Sequence, residues 1–184
     1  MIKCIIIIMS ELRKANTSHP YFVTLTVVDW IDIFTRSHYS DIIIDSLRYC
    51  QKMKELKIFA YVIMSNHVHL ILQDLNENLP NTLRDFKSFT AKKILQAIEN
   101  NLSESRKQWL LNQFQYHANF KNQNSKHMLW QKTSFPIVLD QPSIFDQKIE
   151  YIHNNPVTTG YVNSPEYWNY SSASSLRLID LDEH

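Results

Sequence analysis

Two histidines separated by one residue are the first candidates for chemistry in this sequence. His67 and His69 lie in the apolar stretch HVHLILQ, which favours a β-strand. Because successive side chains of a strand point to opposite faces, both imidazoles fall on one face, with Val68 and Leu70 on the other. Two neighbouring imidazoles could bind a divalent metal, but they could equally belong to the core or the edge of a sheet. The spacing alone favours that structural interpretation.

A second group of candidates lies in the segment YIHNNP. Tyr151 and Asn155 are four residues apart in a predicted helix, so their side chains share one face. A tyrosine phenol can act as a covalent nucleophile. An amide oxygen can complete the coordination of a hard cation such as Mg²⁺ or Mn²⁺. The alternative is a buried tyrosine followed by an asparagine that caps the end of the helix.

The composition excludes several classes of enzyme. The 184 residues contain one glycine, Gly160, so the glycine-rich loops of P-loop ATPases, Rossmann dehydrogenases and protein kinases cannot form. The nucleophile elbow of serine hydrolases is excluded for the same reason. Cys4 and Cys50 lie far apart and do not have zinc-finger spacing. This cysteine usage is typical of a reduced, intracellular protein.

No segment of the sequence predicts a membrane span or a secretory signal. The apolar run from Cys4 to Met9 has only six residues, whereas a spanning helix needs about 20. We therefore expect a cytoplasmic, nucleoid-associated protein with no membrane partner. Met9 could be the natural start, which would make residues 1–8 a non-native extension; a short extra strand is the alternative.

The charged residues are distributed unevenly along the chain. Residues 81–133 have a net charge of +6 and the remainder has −5, which together give the total of +1. A basic middle segment suits a polyanionic partner, although an ordinary solvated helix face would have the same composition. The candidates for contacting a polyanion lie on one predicted helix: Arg84, Lys87, Lys92 and Lys93.

The predicted elements follow the order βαββα, with further helix after it. Apolar patterns predict strands at 21–28, 57–64 and 67–73, the last two joined by the tight turn Ser65-Asn66. Helices are predicted at 38–54, 78–100 and 103–120, and from Ser143 to Pro156. Short strands at 128–130 and 137–139 and a polar linker at 121–126 complete the pattern. This order favours a single α+β domain over residues 1–184, with residues 101–126 as a helical and polar insertion.

The two candidate groups together resemble a known family. His67-Val68-His69, after the segment VIMSN, resembles the HUH motif (histidine, bulky apolar residue, histidine) of single-strand DNA endonucleases. The segment YIHNNPV at 151–157, followed by GYV and YSSA, is similar to the signature of REP-associated tyrosine transposases. These are relatives of the single-tyrosine transposases of insertion sequences. The segment NTLRDFKSFT resembles the helix between the two motifs, so the resemblance covers about residues 20–173.

The resemblance implies a fold and a set of functional residues. The fold would be a ferredoxin-like antiparallel sheet flanked by helices, with the histidines on a central strand and the tyrosine helix beside them. His67, His69 and Asn155 would bind Mg²⁺ or Mn²⁺, and Tyr151 would be the nucleophile. His153 projects from another side of the helix and is left as a structural residue.

The resemblance also implies an activity. The protein would cleave and rejoin single-stranded DNA at hairpin-containing sites such as REP elements, through a 5′-phosphotyrosine intermediate, as a monomer or a homodimer. Arg84, Lys87, Lys92 and Lys93 would contact the DNA, while Phe86 and Phe89 are expected in the core. One alternative is a catalytically silent module that binds hairpin DNA. Another is a metal-dependent enzyme for small molecules, which would have a closed apolar pocket.

Overall fold

A four-stranded antiparallel sheet lies at the centre of the protein, in a computed structural model that describes residues 19–120 and 126–183. Its strands are β1 (Tyr21–Thr26), β2 (Leu56–Ile63), β3 (His67–Asp74) and β4 (Ile137–Val138). The helices are α1 (Ser37–Lys54), α2 (Leu79–Asn100), α3 (Lys107–Phe120) and α4 (Pro142–Thr158). No helix within these described ranges is long and apolar enough to cross a lipid bilayer.

The order of the strands is that of a ferredoxin-like sheet. They lie in the order β2-β3-β1-β4, and every neighbouring pair is antiparallel. The chain passes through β1, α1, β2, β3, α2 and β4, with α3 inserted before β4 and α4 added after it. The α+β, ferredoxin-like prediction is confirmed, and β3 lies between two partner strands.

Alternation along β3 divides the core into two layers. Val68, Leu70 and Leu72 face α1 and α2 in the larger apolar cluster, whereas Ile71 faces α4 in the smaller one. His67 and His69 share the face of Ile71 because they differ from it by even numbers of residues. The two-residue turn Ser65-Asn66 fixes this register, and the Met64 amide donates to the His67 carbonyl oxygen at 2.8 Å.

Helix α4 covers the sheet face that bears the histidines. Phe145 and Ile152, two turns apart on one side of α4, pack with Phe22 of β1 and Phe59 of β2. Helices α1 and α2 cover the opposite face, where Phe86 is buried as predicted. The sheet therefore separates α2 from the histidines.

Helix α4 extends beyond the predicted end at Pro156. It begins at Pro142 rather than at a Ser143 cap, and Pro156 lies inside its last turn. Proline lacks a backbone N–H, so within the helix it removes the bond to the carbonyl four residues earlier. The helix ends two residues later, where the amide of Thr159 donates to the Asn155 carbonyl at 3.1 Å. The prediction that Pro156 ends the helix is therefore wrong by two residues.

Two other local predictions are wrong, and two lie outside the described residues. Residues 128–130 form a single bridge from Trp130 to Val27 rather than a strand. Phe89 is exposed, because the buried side of α2 follows Leu83, Phe86 and Thr90 while Phe89 projects beside it. The predicted linker at 121–126, apart from its last residue, and the predicted extension at 1–8 fall outside the described ranges.

Because β3 is central in the sheet, we expect the fold to be most sensitive to the shortening of its buried side chains. Leu70→Ala should lower the free energy of unfolding by about 2–5 kcal/mol, because Leu70 is fully buried in the larger cluster. Leu102→Ala is the matched control, since Leu102 is 96% exposed and its loss should change stability by no more than about 0.5 kcal/mol. Urea unfolding followed by circular dichroism compares the two variants. Equal losses would contradict the assigned core.

Candidate active site

The two histidines lie together on one face of β3. Their ring centroids are 4.7 Å apart, and they pair across the sheet with two residues of β1, His69 with Thr24 and His67 with Thr26. His69 is buried, and its ring stacks on Phe22 at 5.2 Å. The structure thus brings together the pair that the strand pattern selected.

Hydrogen bonds fix the orientation of the His67 ring. Its Nδ1 lies 2.7 Å from Oδ1 of Asn66, and Nδ2 of Asn66 donates to Oδ1 of Asp32 at 2.9 Å. Because the Asp32 carboxylate only accepts hydrogen bonds, the NH2 group of the Asn66 amide must face Asp32. The amide oxygen of Asn66 therefore faces His67. Nδ1 of His67 then bears the proton, and Nε2 keeps a lone pair for a ligand.

His69 has a comparable partner on the neighbouring strand. Its Nδ1 lies 2.8 Å from Oγ1 of Thr24, and either atom can be the donor. If the ring donates to the hydroxyl, Nε2 of His69 is also free to bind a cation. Neither Thr24 nor Asn66 was predicted from the sequence, since finding Thr24 requires the strand register and finding Asn66 requires the turn geometry.

Burial keeps both imidazoles neutral. It lowers the pKa of His67, and it lowers the pKa of His69 to about 3, with smaller contributions from the charges of His67 and Lys148. A neutral imidazole is the form that binds a metal. The electrostatics of this face therefore suit a cation held by ring nitrogens rather than a pair of charged histidines.

Tyr151 approaches the histidines from α4. Its ring centroid is 5.2 Å from that of His69 and 5.9 Å from that of Phe22, both in edge-to-face geometry. The side chain is 47% exposed, so a large substrate can reach it. This exposure differs from the buried tyrosine that the structural interpretation required.

Lys148 is a neighbour that the sequence analysis missed. Its Nζ lies 5.3 Å from the centre of the Tyr151 ring and 4.8 Å from that of Phe22. The two residues are three apart on α4, a spacing that makes helix neighbours. The spacing of the two residues could have identified Lys148 from the sequence. In the structure, Lys148 brings a positive charge beside the candidate nucleophile.

Asn155 presents an unpaired oxygen one turn after Tyr151. The residue is 9% exposed, and its Oδ1 is buried without a hydrogen-bond partner among the residues that the structure describes. The oxygen therefore does not cap the helix, although the backbone carbonyl of Asn155 accepts from the Thr159 amide and hydroxyl. A buried carbonyl oxygen without a partner is costly, and a bound cation would satisfy it.

The contacts of α4 show in which direction it crosses the histidine strand. Lys148 and Tyr151 both lie against Phe22, which pairs with Ile71, and Tyr151 also reaches His69. Helix α4 therefore runs opposite to β3, and one further turn leads from His69 toward His67. Among the described residues no group of three or more His, Cys, Asp or Glu could hold a metal, and the role of Asn155 as a third donor beside the histidine pair stays a prediction.

The four predicted DNA-contacting residues lie away from this cluster, on the other side of the sheet. Lys92 and Lys93 are exposed on α2. Arg84 is exposed and donates to Asp85 and Asn81. Their role in DNA binding stays a prediction.

Lys87 has partners within the protein that the prediction did not include. Its Nζ donates to the backbone carbonyls of Gln131 at 2.6 Å and of Lys132 at 3.1 Å, and burial lowers its pKa to about 8. The ammonium therefore ties α2 to the segment beside β1. A phosphate contact at Lys87 would have to compete with these two bonds.

His153 lies apart from the histidine pair, on the other side of α4. Its Nε2 is 2.9 Å from Oγ of Ser172, and that hydroxyl also donates to the carbonyl of Tyr61. These contacts join α4 to the carboxyl-terminal segment and to β2. They agree with the structural role expected for His153.

Comparison with solved structures places the fold among transposases. A REP-associated tyrosine transposase bound to a REP hairpin is similar with a TM-score of 0.58 and 15% identity, over 84% of this chain and 76% of that one. A "putative transposase" from Deinococcus radiodurans R1 aligns with a TM-score of 0.46 and 17% identity, over 73% of this chain and 88% of that one. No curated protein sequence matches the chain.

The match to a family model extends over more than half of the chain. The model describes IS200-like transposases and matches residues 18–117, which include β1, both helices of the opposite layer and the histidine strand. Tyr151 and Asn155 lie beyond the matched range. The chain belongs to the IS200-like transposase family.

Proposed function

We propose that this protein is a metal-dependent single-strand DNA endonuclease and transposase that cleaves and rejoins DNA at hairpin-containing sites. The observation that supports this most is the meeting of the neutral His67–His69 pair with the exposed ring of Tyr151. A cation site and an accessible nucleophile side by side are what phosphodiester cleavage requires. The cluster is open to a large substrate, unlike the closed pocket expected of an enzyme for small molecules.

His67, His69 and Asn155 would hold the cation, Mg²⁺ or Mn²⁺. The Oδ1 of Asn155 fits this role, because hard cations prefer oxygen donors and this buried oxygen has no other partner within residues 19–120 and 126–183. All three donors are neutral, so the charge of the cation stays available for a phosphate. When bound, such a cation polarises a phosphate oxygen and stabilises the charge that develops on the leaving oxygen.

Tyr151 would perform the covalent step. Its phenol oxygen attacks the phosphorus, the bond from phosphorus to the 3′-oxygen breaks, and the DNA 5′ end stays attached to the protein as a phosphotyrosine. The phenol proton leaves, and the 3′-oxygen takes up a proton to become a free hydroxyl. The positive charge of Lys148 beside the ring attracts the incoming phosphate.

The covalent link preserves the energy of the broken bond. A 3′-hydroxyl of another strand can therefore attack the phosphotyrosine and rejoin the DNA without ATP. This agrees with the lack of a glycine-rich nucleotide loop in a sequence with one glycine. His67, His69, Tyr151 and Asn155 come from one chain, so the proposed site is complete in a monomer and in each subunit of a homodimer.

The proposed partner is single-stranded or hairpin DNA. The structurally similar REP-associated transposase is bound to a REP hairpin, and Lys92 and Lys93 offer positive charge on α2. Because α2 and the histidines lie on opposite faces of the sheet, a hairpin held at α2 would reach Tyr151 only through a single strand that passes the edge of the sheet. This geometry suits a hairpin with an unpaired flank.

Tyr151→Phe should abolish the covalent adduct, because the attacking oxygen is absent. The ring remains, so the free energy of unfolding should change by less than about 1 kcal/mol and hairpin affinity should be nearly unchanged. The assay incubates a labelled hairpin oligonucleotide with single-stranded flanks, protein and Mn²⁺, and detects the protein–DNA band on a denaturing gel.

Tyr161→Phe is the matched control for that assay. The Tyr161 hydroxyl lies 3.0 Å from Oγ of Ser65, and the side chain is exposed like that of Tyr151, so this variant should keep the adduct. Tyr170 is a poorer nucleophile, since its hydroxyl contacts Asp41 at 2.8 Å and its pKa is raised to about 12. An adduct that survives in Tyr151→Phe would contradict the proposed nucleophile. No adduct from the wild type with hairpins of its genomic neighbourhood would favour the silent binding module.

Asn155→Ala should weaken Mn²⁺ binding by about tenfold or more, because it removes one donor from the cation. His67→Ala should weaken it further and lose cleavage at low Mn²⁺, with partial recovery at excess Mn²⁺. Electron paramagnetic resonance of free Mn²⁺ measures the affinity independently of activity. Asn154→Ala is the control, since its side chain donates to the Glu150 carbonyl outside the cluster. Equal affinities in Asn155→Ala and Asn154→Ala would contradict the donor set.

The double variant Lys92→Ala/Lys93→Ala should bind hairpin DNA more weakly and less salt-dependently. Loss of two phosphate contacts to the duplex stem reduces the slope of log affinity against log salt by about 1.8. Fluorescence anisotropy at several salt concentrations measures that slope, with the exposed Lys52→Ala on α1 as control. Wild-type affinity should also be higher for a hairpin than for a flush duplex at matched salt. An unchanged slope would remove these lysines from the interface, and equal hairpin and duplex affinities would contradict the proposed partner.

A further inference from the structure

Trp30 is a large exposed aromatic side chain directly beside the histidine pair. It ends the short 3-10 turn Val28–Trp30 that follows β1, and it is 58% exposed. Its ring centroid lies 5.8 Å from that of His67 in edge-to-face geometry. The indole thus borders the proposed cation site while most of its surface faces solvent.

The backbone at this turn adopts a costly conformation. Asp29 has a φ of 53° and Trp30 has a φ of 55°, so two consecutive residues other than glycine occupy the left-handed region. That region is unfavourable for side chains with a Cβ, and such conformations cluster at functional sites. The strain supports a functional reason for keeping the indole out of the core.

Hydrogen bonds make the loop with Trp30 rigid relative to His67. The amide of Val27 donates to the Asn66 carbonyl at 2.9 Å, and that of Phe34 donates to the Ser65 carbonyl at 2.8 Å. The two donors lie on either side of Trp30 in the chain, and both acceptors lie in the turn that precedes His67. The amide side chain of Asn66 adds a third link, to Asp32. The backbone that bears the indole is therefore anchored to the turn that precedes His67.

We propose that Trp30 is a stacking platform for an unpaired nucleobase of the DNA strand that enters the site. The inference rests on the proposed function, and it names the form of the substrate: a single strand whose base next to the scissile phosphate is splayed onto the indole. Aromatic side chains bind unpaired bases by stacking, largely without regard to base identity. A base in the interior of a duplex cannot make this contact because both its faces are already stacked.

Stacking at Trp30 would also position the phosphate. The ring lies against His67, so the nucleotide whose base rests on Trp30 adjoins the phosphate held at the histidines. Fixing that nucleotide places the reacting phosphorus before the attack of Tyr151, which lowers the entropic cost of the step. Trp30 is thus a positioning residue that acts through the substrate base.

The experiment measures DNA binding with chelator present, so that cleavage does not contribute. The probe is a hairpin oligonucleotide with oligothymidine flanks, together with a series in which each flank nucleotide in turn is abasic. Trp30→Ala should weaken binding of the intact probe by about tenfold, within the range for one stacked base, while Trp30→Phe should keep most of the affinity. Trp109→Ala, which removes a similarly exposed indole from α3, should have no effect.

The abasic series tests the contact itself. One abasic position should weaken wild-type binding by about the same factor and cause no further loss in Trp30→Ala, because both changes remove the same interaction. The inference is overturned if Trp30→Ala binds like the wild type, if Trp30→Phe loses as much as Trp30→Ala, or if every abasic loss is additive with the variant. A missing adduct in the Tyr151 assay alongside a positive stacking result would refute only the nuclease proposal. An adduct with no stacking effect would refute only this inference.

Discussion

The position of the proposed site depends on the strict alternation of side chains along β3. This strand is paired on both edges, and each of its faces is covered by helix. A register shift of one residue would turn His67 and His69 into the apolar layer of α1 and α2, and would turn Val68 and Leu70 to the face that α4 covers. The same packing that stabilises the sheet therefore holds the two imidazoles on the side of Tyr151.

The site has a cost that the rest of the fold must offset. Burial of His69 disfavours its charged form. The buried Oδ1 of Asn155 has no partner in the described part of the chain, a defect worth about 1–3 kcal/mol. The backbone at Asp29 and Trp30 adds strain. These three features converge on one face of the sheet, whereas the opposite layer is an ordinary apolar core. Such a concentration of unfavourable features is expected where a ligand supplies the missing interactions.

The sequence predicts the elements well where apolar periodicity is strong, as in β2, β3 and α2. Strand and helix spacing, which are local properties, also offer His67, His69, Tyr151 and Asn155 as candidates, and the resemblance to a family assigns them their roles. It cannot find Thr24, whose contact with His69 depends on the pairing of two strands distant in sequence.

Errors arise where tertiary packing decides the outcome. The exposure of Phe89 depends on which side of α2 meets the sheet, and the two carbonyl partners of Lys87 come from a loop 44 and 45 residues later. The position of a lysine in a basic segment therefore does not establish that its ammonium group is available to contact DNA. Electrostatic interpretation of a sequence needs the intramolecular partners of each charge.

In the proposed mechanism, the phenol of Tyr151 beside the neutral histidine pair becomes joined to DNA. Mass spectrometry of the wild-type protein, digested with protease and nuclease after reaction with a hairpin substrate and Mn²⁺, measures this directly. The proposed mechanism predicts that one peptide carries a nucleotide remnant, and that its phosphate is attached to the phenol oxygen of Tyr151. A remnant on Tyr161 or any other residue, or unmodified Tyr151 in protein that has cleaved the substrate, would contradict it.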